Sequence, residues 1–168
     1  AARNAMEGVI EGAASVGIKG VDGISAAASG AIQGLGGIGK AATATTANVA
    51  RELIRGASNV GGDLGSAAKG TMLGVLRGTK TLTAEAADTV GATTGSLVKA
   101  TAEVGGDVAV TAKSAVEGAI QGAKEVGVDV AAAASAAANG ALKAAGDIST
   151  TAVEQVEHLS GDDRRREQ

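Results

Sequence analysis

Glu103-Val-Gly-Gly-Asp-Val108 is the stretch on which the fold turns, because it reads in two ways. A glycine in the left-handed conformation ends a helix and an Asp caps the next one, so Gly105-Gly106-Asp107 reads as stop and restart. The same glycines also read as a weak point inside one continuous helix, at about 1 kcal/mol each relative to Ala. Asn59–Leu64 (N-V-G-G-D-L) and Glu125–Val130 (E-V-G-V-D-V) are variants of the same stretch. All three are set apart by multiples of one period, twenty-two positions long.

Working outward, that period organises the chain. Val16, Ile38, Val60, Leu82, Val104, Val126 and Ile148 form an apolar stripe in which every member is a bulky aliphatic. Ile10, Ile32, Ile54, Leu76, Val98, Ile120 and Leu142 form a second aliphatic series at the same period. A third series holds only small residues: Gly12, Gly34, Gly56, Gly78, Ala100, Gly122 and Ala144. Polar residues follow the second series, as Glu11, Gln33, Arg55, Arg77, Lys99, Gln121 and Lys143. Self-similarity at a fixed period of this length is the mark of a repeat architecture. Twenty-two residues in six turns is about 3.67 per turn, close to the α-helix, so each unit fits one helical face. Small residues four apart, Gly8–Gly12, Gly30–Gly34, Gly70–Gly74–Gly78 and Gly118–Gly122, together with Gly56, mark surfaces on which helix backbones approach closely.

The expected fold is therefore all-α, with seven Gly/Ala-rich amphipathic helical repeats over residues 1–159 and a charged tail over 160–168. Long helices or helical hairpins, packed closely in an oligomeric bundle or filament, both satisfy the pattern. Leu82-Thr83-Ala84-Glu85 and Ile148-Ser149-Thr150-Thr151 lack glycine at the candidate turn. They favour mostly continuous helix, broken near Gly36–Gly39, Gly61–Gly62 or Gly105–Gly106. A continuous rod of seven units would reach about 230 Å with nothing to bury its apolar stripe. It must fold back, bundle with copies of itself or lie on a surface.

Composition narrows the function. The 168 residues include 39 Ala and 27 Gly, but no Phe, Tyr, Trp, Pro or Cys, and carry a net charge of −3. Base stacking needs aromatic rings and phosphate binding needs a basic footprint, so no nucleic-acid partner is expected. Absence of Cys removes disulfides and thiolate chemistry. The most apolar stretch, 130–145, carries Asn139 and Lys143 and falls short of a transmembrane span. Ala1 in the first position implies a removed or preceding segment.

No constellation of residues points to catalysis, a cofactor or a metal. Gly34-Leu-Gly-Gly-Ile-Gly-Lys-Ala41 approaches a phosphate-binding loop, but position 41 is not Ser or Thr and no strand precedes it. Its Gly34 and Gly39 also recur at 56 and 61 and at 122 and 127, which the repeat explains. His158 is the only imidazole, beside Glu154 and Glu157 on a polar face. Asp63, Glu85, Asp107 and Asp129 recur once per repeat period, as expected of helix caps or a solvated face. Arg164–Arg166 belong to a solvated tail.

Lys113-Ser-Ala-Val-Glu-Gly-Ala-Ile-Gln-Gly-Ala-Lys-Glu-Val-Gly127, with echoes at Glu7–Gly17 and Arg55–Gly65, resembles the amphipathic 11- and 22-residue repeats of synucleins, exchangeable apolipoproteins and late-embryogenesis-abundant proteins. The resemblance, one of repeat type, implies a helical chain that binds lipid surfaces or protects under stress. The residues themselves favour a non-enzymatic structural or scaffolding protein. It would self-associate as a homo-oligomer, or pack around a partner protein complex, through its Gly/Ala-lined helices. A lipid surface is the rival partner, although the polar face lacks the Lys/Arg excess and the apolar face the aromatics of interfacial helices.

Overall fold

The computed structural model describes residues 40–59, 61–79 and 82–159. They form five helices: α1 (Lys40–Asn59), α2 (Leu64–Thr79), α3 (Ala84–Glu103), α4 (Val108–Val126) and α5 (Val130–Leu159). The chain is all-α, and the described residues contain no strand.

The mostly continuous helix that the sequence favours breaks at two of the expected places, Gly61–Gly62 and Gly105–Gly106, and additionally before Ala84 and at Gly127. Gly61, Gly105 and Gly127 take φ of 71°, 77° and 79°, the left-handed conformation that costs glycine nothing. The residue after each donates its N–H to a carbonyl five residues back: Gly62 to Ala57 at 2.7 Å, Gly106 to Thr101 at 2.8 Å and Val128 to Ala123 at 3.1 Å. That bond satisfies a carbonyl orphaned by the helix end. The following acids restart the helix. Asp107 accepts from the amides of Ala109 and Val110, Asp63 from Gly65, and Asp129 from Ala132. The glycine-free unit breaks too, because Thr83 caps α3 instead, accepting from the Ala86 amide at 3.1 Å. Among the described units only Ile148–Thr151 lets the helix pass, and α5 runs for 30 residues. The Gly36–Gly39 break lies outside the described residues.

Short connections force successive helices to run antiparallel, yet successive helices are not the best packed. The broadest contacts join α2 to α4, α3 to α5 and α1 to α3. The helices thus stack in two layers, α1-α3-α5 and α2-α4, with parallel neighbours inside each layer. Between the layers lies a core of Ile54, Met72, Leu76, Val90 and Leu97, all fully buried. Towards the C-terminal end this core thins to alanine. Ala115, Ala119 and Ala123 of α4 and Ala133 and Ala137 of α5 fill it four residues apart, one helical face each.

Candidate functional site

What positions the helices within a layer is a close approach of backbones that recurs once per repeat period. Ser96 Oγ of α3 donates to the Ala47 carbonyl of α1. One period on, Gly118 of α4 lies against Lys69 of α2, where a Cβ on Gly118 would overlap the Lys69 backbone. One period further, Gly140 of α5 lies so close to Gly91 of α3 that a Cβ would overlap the Gly91 carbonyl. Gly122, one turn beyond Gly118, meets Leu76, and a Cβ there would come within 2.6 Å of it. The pairs Ala47–Ser96, Lys69–Gly118 and Gly91–Gly140 each join a residue to one 49 positions later, in parallel orientation.

Ion pairs mark the same register on the surface. Arg55 Nη2 lies 3.2 Å from Glu103 Oε2, Arg77 Nε 2.8 Å from Glu125 Oε2 and Lys99 Nζ 3.1 Å from Asp147 Oδ2. Each pair spans 48 positions, and each member stands one repeat period from its counterpart in the next pair. The Arg77 pair is bidentate, its second bond running from Nη2 to Oε1 at 3.2 Å. The hydrogen bond from Arg77 holds the Glu125 carboxyl below its ordinary value, against a smaller opposing effect of desolvation. Exposed pairs of this kind contribute little stability.

The residues expected to pack helices divide as follows. Gly118 and Gly122 line the contact of α4 with α2, Gly70 and Gly74 are buried in α2, and Gly56 and Gly78 are half-buried. In the apolar stripe, Leu82 and Val104 sit in the connections on either side of α3, Val126 ends α4, and Ile148 packs beside Val98. The deepest positions belong to the other aliphatic series, through Ile54, Leu76 and Val98. Gly8, Gly12, Gly30, Gly34, Val16, Ile38 and Val60 lie outside the described residues, as do Gly34–Gly39 of the phosphate-loop likeness, the tail and the side chain of His158.

Sequence reasoning missed Gly91, Gly95 and Gly140, and it missed the ion pairs. Gly140 and Ser96 stand one repeat period to either side of Gly118, which was the available signal. The ion pairs had one as well, since Arg55, Arg77 and Lys99 share the period of Glu103, Glu125 and Asp147. The groove between α3 and α5, of about 600 Å³, has a floor of Gly91, Gly95 and Gly140. Four charged residues line it, Asp88, Lys99, Lys143 and Asp147, of which Lys99 and Asp147 pair with each other.

The far edge of the stack is a different surface. Ile54 and Leu76 are 0% exposed and Val98 1%, whereas Leu142, in the same register on α5, is 71% exposed. Val110 of α4, at 48%, is the other exposed large aliphatic among the described residues. Lys143, counterpart of Arg55, Arg77 and Lys99, has no ion-pair partner among them. No group of three or more His, Cys, Asp or Glu that could hold a metal occurs among the described residues, and none of their helices is long and apolar enough to cross a membrane. Comparison with known proteins finds no matching family model, curated protein or solved structure.

Proposed function

We propose that the protein is a non-enzymatic structural scaffold that self-associates through the faces of its closely stacked helices into a filament, tube or bundle. The observation that carries this reading is Leu142, exposed on α5 where the same position is fully buried in α1, α2 and α3. The same register is half-buried at Ile120 of α4, so burial falls away towards the edge of the stack, which presents Leu142 for contact. The glycines support the reading less directly than the sequence implies. Gly118, Gly122 and Gly140 spend their close approach inside the chain, so assembly falls to the edge and not to the glycine faces within the stack.

Circular dichroism and light scattering, in buffer and then with anionic vesicles, test the proposal. A helical protein whose particle mass grows with concentration in buffer alone supports a scaffold. A monomer that turns helical only with vesicles would overturn it in favour of a lipid-surface protein. A disordered monomer under both conditions would favour the stress-protectant alternative.

A further inference from the structure

The groove between α3 and α5 opens on the outer face of its layer. Its α3 wall carries Asp88, Ala92 and Gly95, on the side of the helix opposite to the buried Val90, Thr94 and Leu97. Asp88, Ala92, Asn139 and Lys143 are exposed along its mouth. Two of its four charges are already matched, because Lys99 and Asp147 pair across one end. Asp88 and Lys143 are not matched, and neither has an ion-pair partner among the described residues. Their placement has a hidden symmetry. The backbones of Gly91 and Gly140 meet and so mark one level of the two parallel helices. Asp88 stands three residues before Gly91, and Lys143 three residues after Gly140. The two charges thus lie on opposite walls, each about 4.5 Å from that level and in opposite directions.

A half-turn about an axis lying across the groove mouth, above Gly91 and Gly140, exchanges these two levels. It brings the acid of one copy level with the base of another, and the base level with the acid, which is the self-complementarity an isologous contact requires. We infer that the α3–α5 groove is a two-fold docking face for a second copy of this chain, with Asp88 of each copy paired to Lys143 of the other. The width between the walls is spanned by the long, flexible lysine side chain. Gly91, Gly95 and Gly140 form the floor beneath the axis, where missing side chains let the second copy sit close. The sign pattern selects the occupant. A polyanion or an anionic lipid surface would satisfy Lys143 and oppose Asp88, whereas a second copy satisfies both. The inference rests on the self-association reading above and adds to it a face separate from the Leu142 edge.

Sedimentation velocity on the full chain tests the pairing by charge reversal, with circular dichroism showing that each variant keeps its helices. Wild type is expected to show a dimer as its smallest associated species. Asp88→Lys sets base against base at both contacts, and Lys143→Glu sets acid against acid. Each variant alone should dimerise on the order of tenfold or more weaker than wild type, because like charges then face each other twice. Mixed in equal amounts, the two variants should recover dimers, since each offers the sign that the other needs. The double variant Asp88→Lys/Lys143→Glu should dimerise like wild type. Single variants that assemble as wild type does would overturn the groove contact while leaving self-association through the Leu142 edge standing. A mixture and a double variant as weak as the single variants would mean that the two charges do not meet, and would overturn it too. A wild type that stays monomeric at every concentration defeats both readings. Should a reversal unfold the chain, Asp88→Asn and Lys143→Gln probe the same exposed sites, and a dimer unchanged by both refutes the pairing.

Discussion

Helices α2 and α5 carry the same periodic pattern in opposite surroundings. Ten residues of α2, from Gly65 to Leu76, are buried, with Leu73 and Leu76 inside and Gly70 and Gly74 beside them. Among the described side chains of α5 the buried positions are a single stripe of Ala133, Ala137, Ala141 and Ala144. Asn139, Leu142, Lys143 and Gly146 lie exposed. Helix α2 is covered by α4 within its layer and touches α1 and α3 across the stack. Among the described helices, α5 has α3 and α4 on one side and none on the other. The difference teaches that burial here is set by position in the stack more than by composition, since Leu76 and Leu142 are the same residue in the same register.

The most direct way to break that comparison is to truncate both leucines. Leu76→Ala should cost about 3 kcal/mol, through lost burial and the cavity left behind. Leu142→Ala should stay within roughly 0.5 kcal/mol, as an exposed substitution does. Equal losses in urea unfolding would mean that α5 is as enclosed as α2. A second pair concerns the glycines. Gly118→Leu pushes a side chain into the Lys69 backbone of α2 and should cost about 2–3 kcal/mol. Gly146→Ala on α5 meets nothing within 4 Å, so it should stabilise by about 0.5–1 kcal/mol through helix propensity alone. Thermal midpoints moving in opposite directions would sharpen the contrast; a loss at Gly146 would contradict the open edge.

Between these sizes lies Thr93 of α3, buried with no hydrogen-bond partner for its hydroxyl. Thr93→Val should stabilise by about 1 kcal/mol, because it removes an unsatisfied polar group without changing shape. Urea unfolding checks it, and a loss of stability would mean that the hydroxyl is satisfied in solution. The smallest effect belongs to Glu125. Its carboxyl titrates below its ordinary value in the folded chain, chiefly through the hydrogen bond from Arg77. The pair's contribution is therefore present above the unfolded carboxylate value and lost as pH falls through the folded one. Arg77→Gln should flatten that acid limb by well under about 1 kcal/mol, since the pair is solvent-exposed. An unchanged slope would show that Arg77 does not act on Glu125 in solution.

How far the sequence reveals this architecture depends on the element. Gly105-Gly106-Asp107 and Gly127-Val128-Asp129 carry their turn chemistry in full, because a left-handed glycine and a capping Asp are local devices. Leu82-Thr83-Ala84-Glu85 hides its turn, since Thr83 caps α3 with no glycine before it and a lone Thr is common within helices as well. The asymmetry between Leu76 and Leu142 is illegible at the level of the residue, because it depends on which helix lies two units ahead. The pairing of Arg77 with Glu125 is hidden for the same reason. Periodicity gives a spacing of one unit, whereas contact needs 48 positions, and only the layered stacking relates the two.

The close approaches at Ala47–Ser96, Lys69–Gly118 and Gly91–Gly140 recur once per unit while alternating between the two layers. Each unit is thus one tread of a staircase that turns half-way round at every step. Helices in contact lie about 8–10 Å apart, so one tread raises the stack by roughly 4–5 Å. The same residues in an unbroken helix would span about 33 Å. Over the described residues the stack therefore rises in small, equal steps rather than in helix lengths.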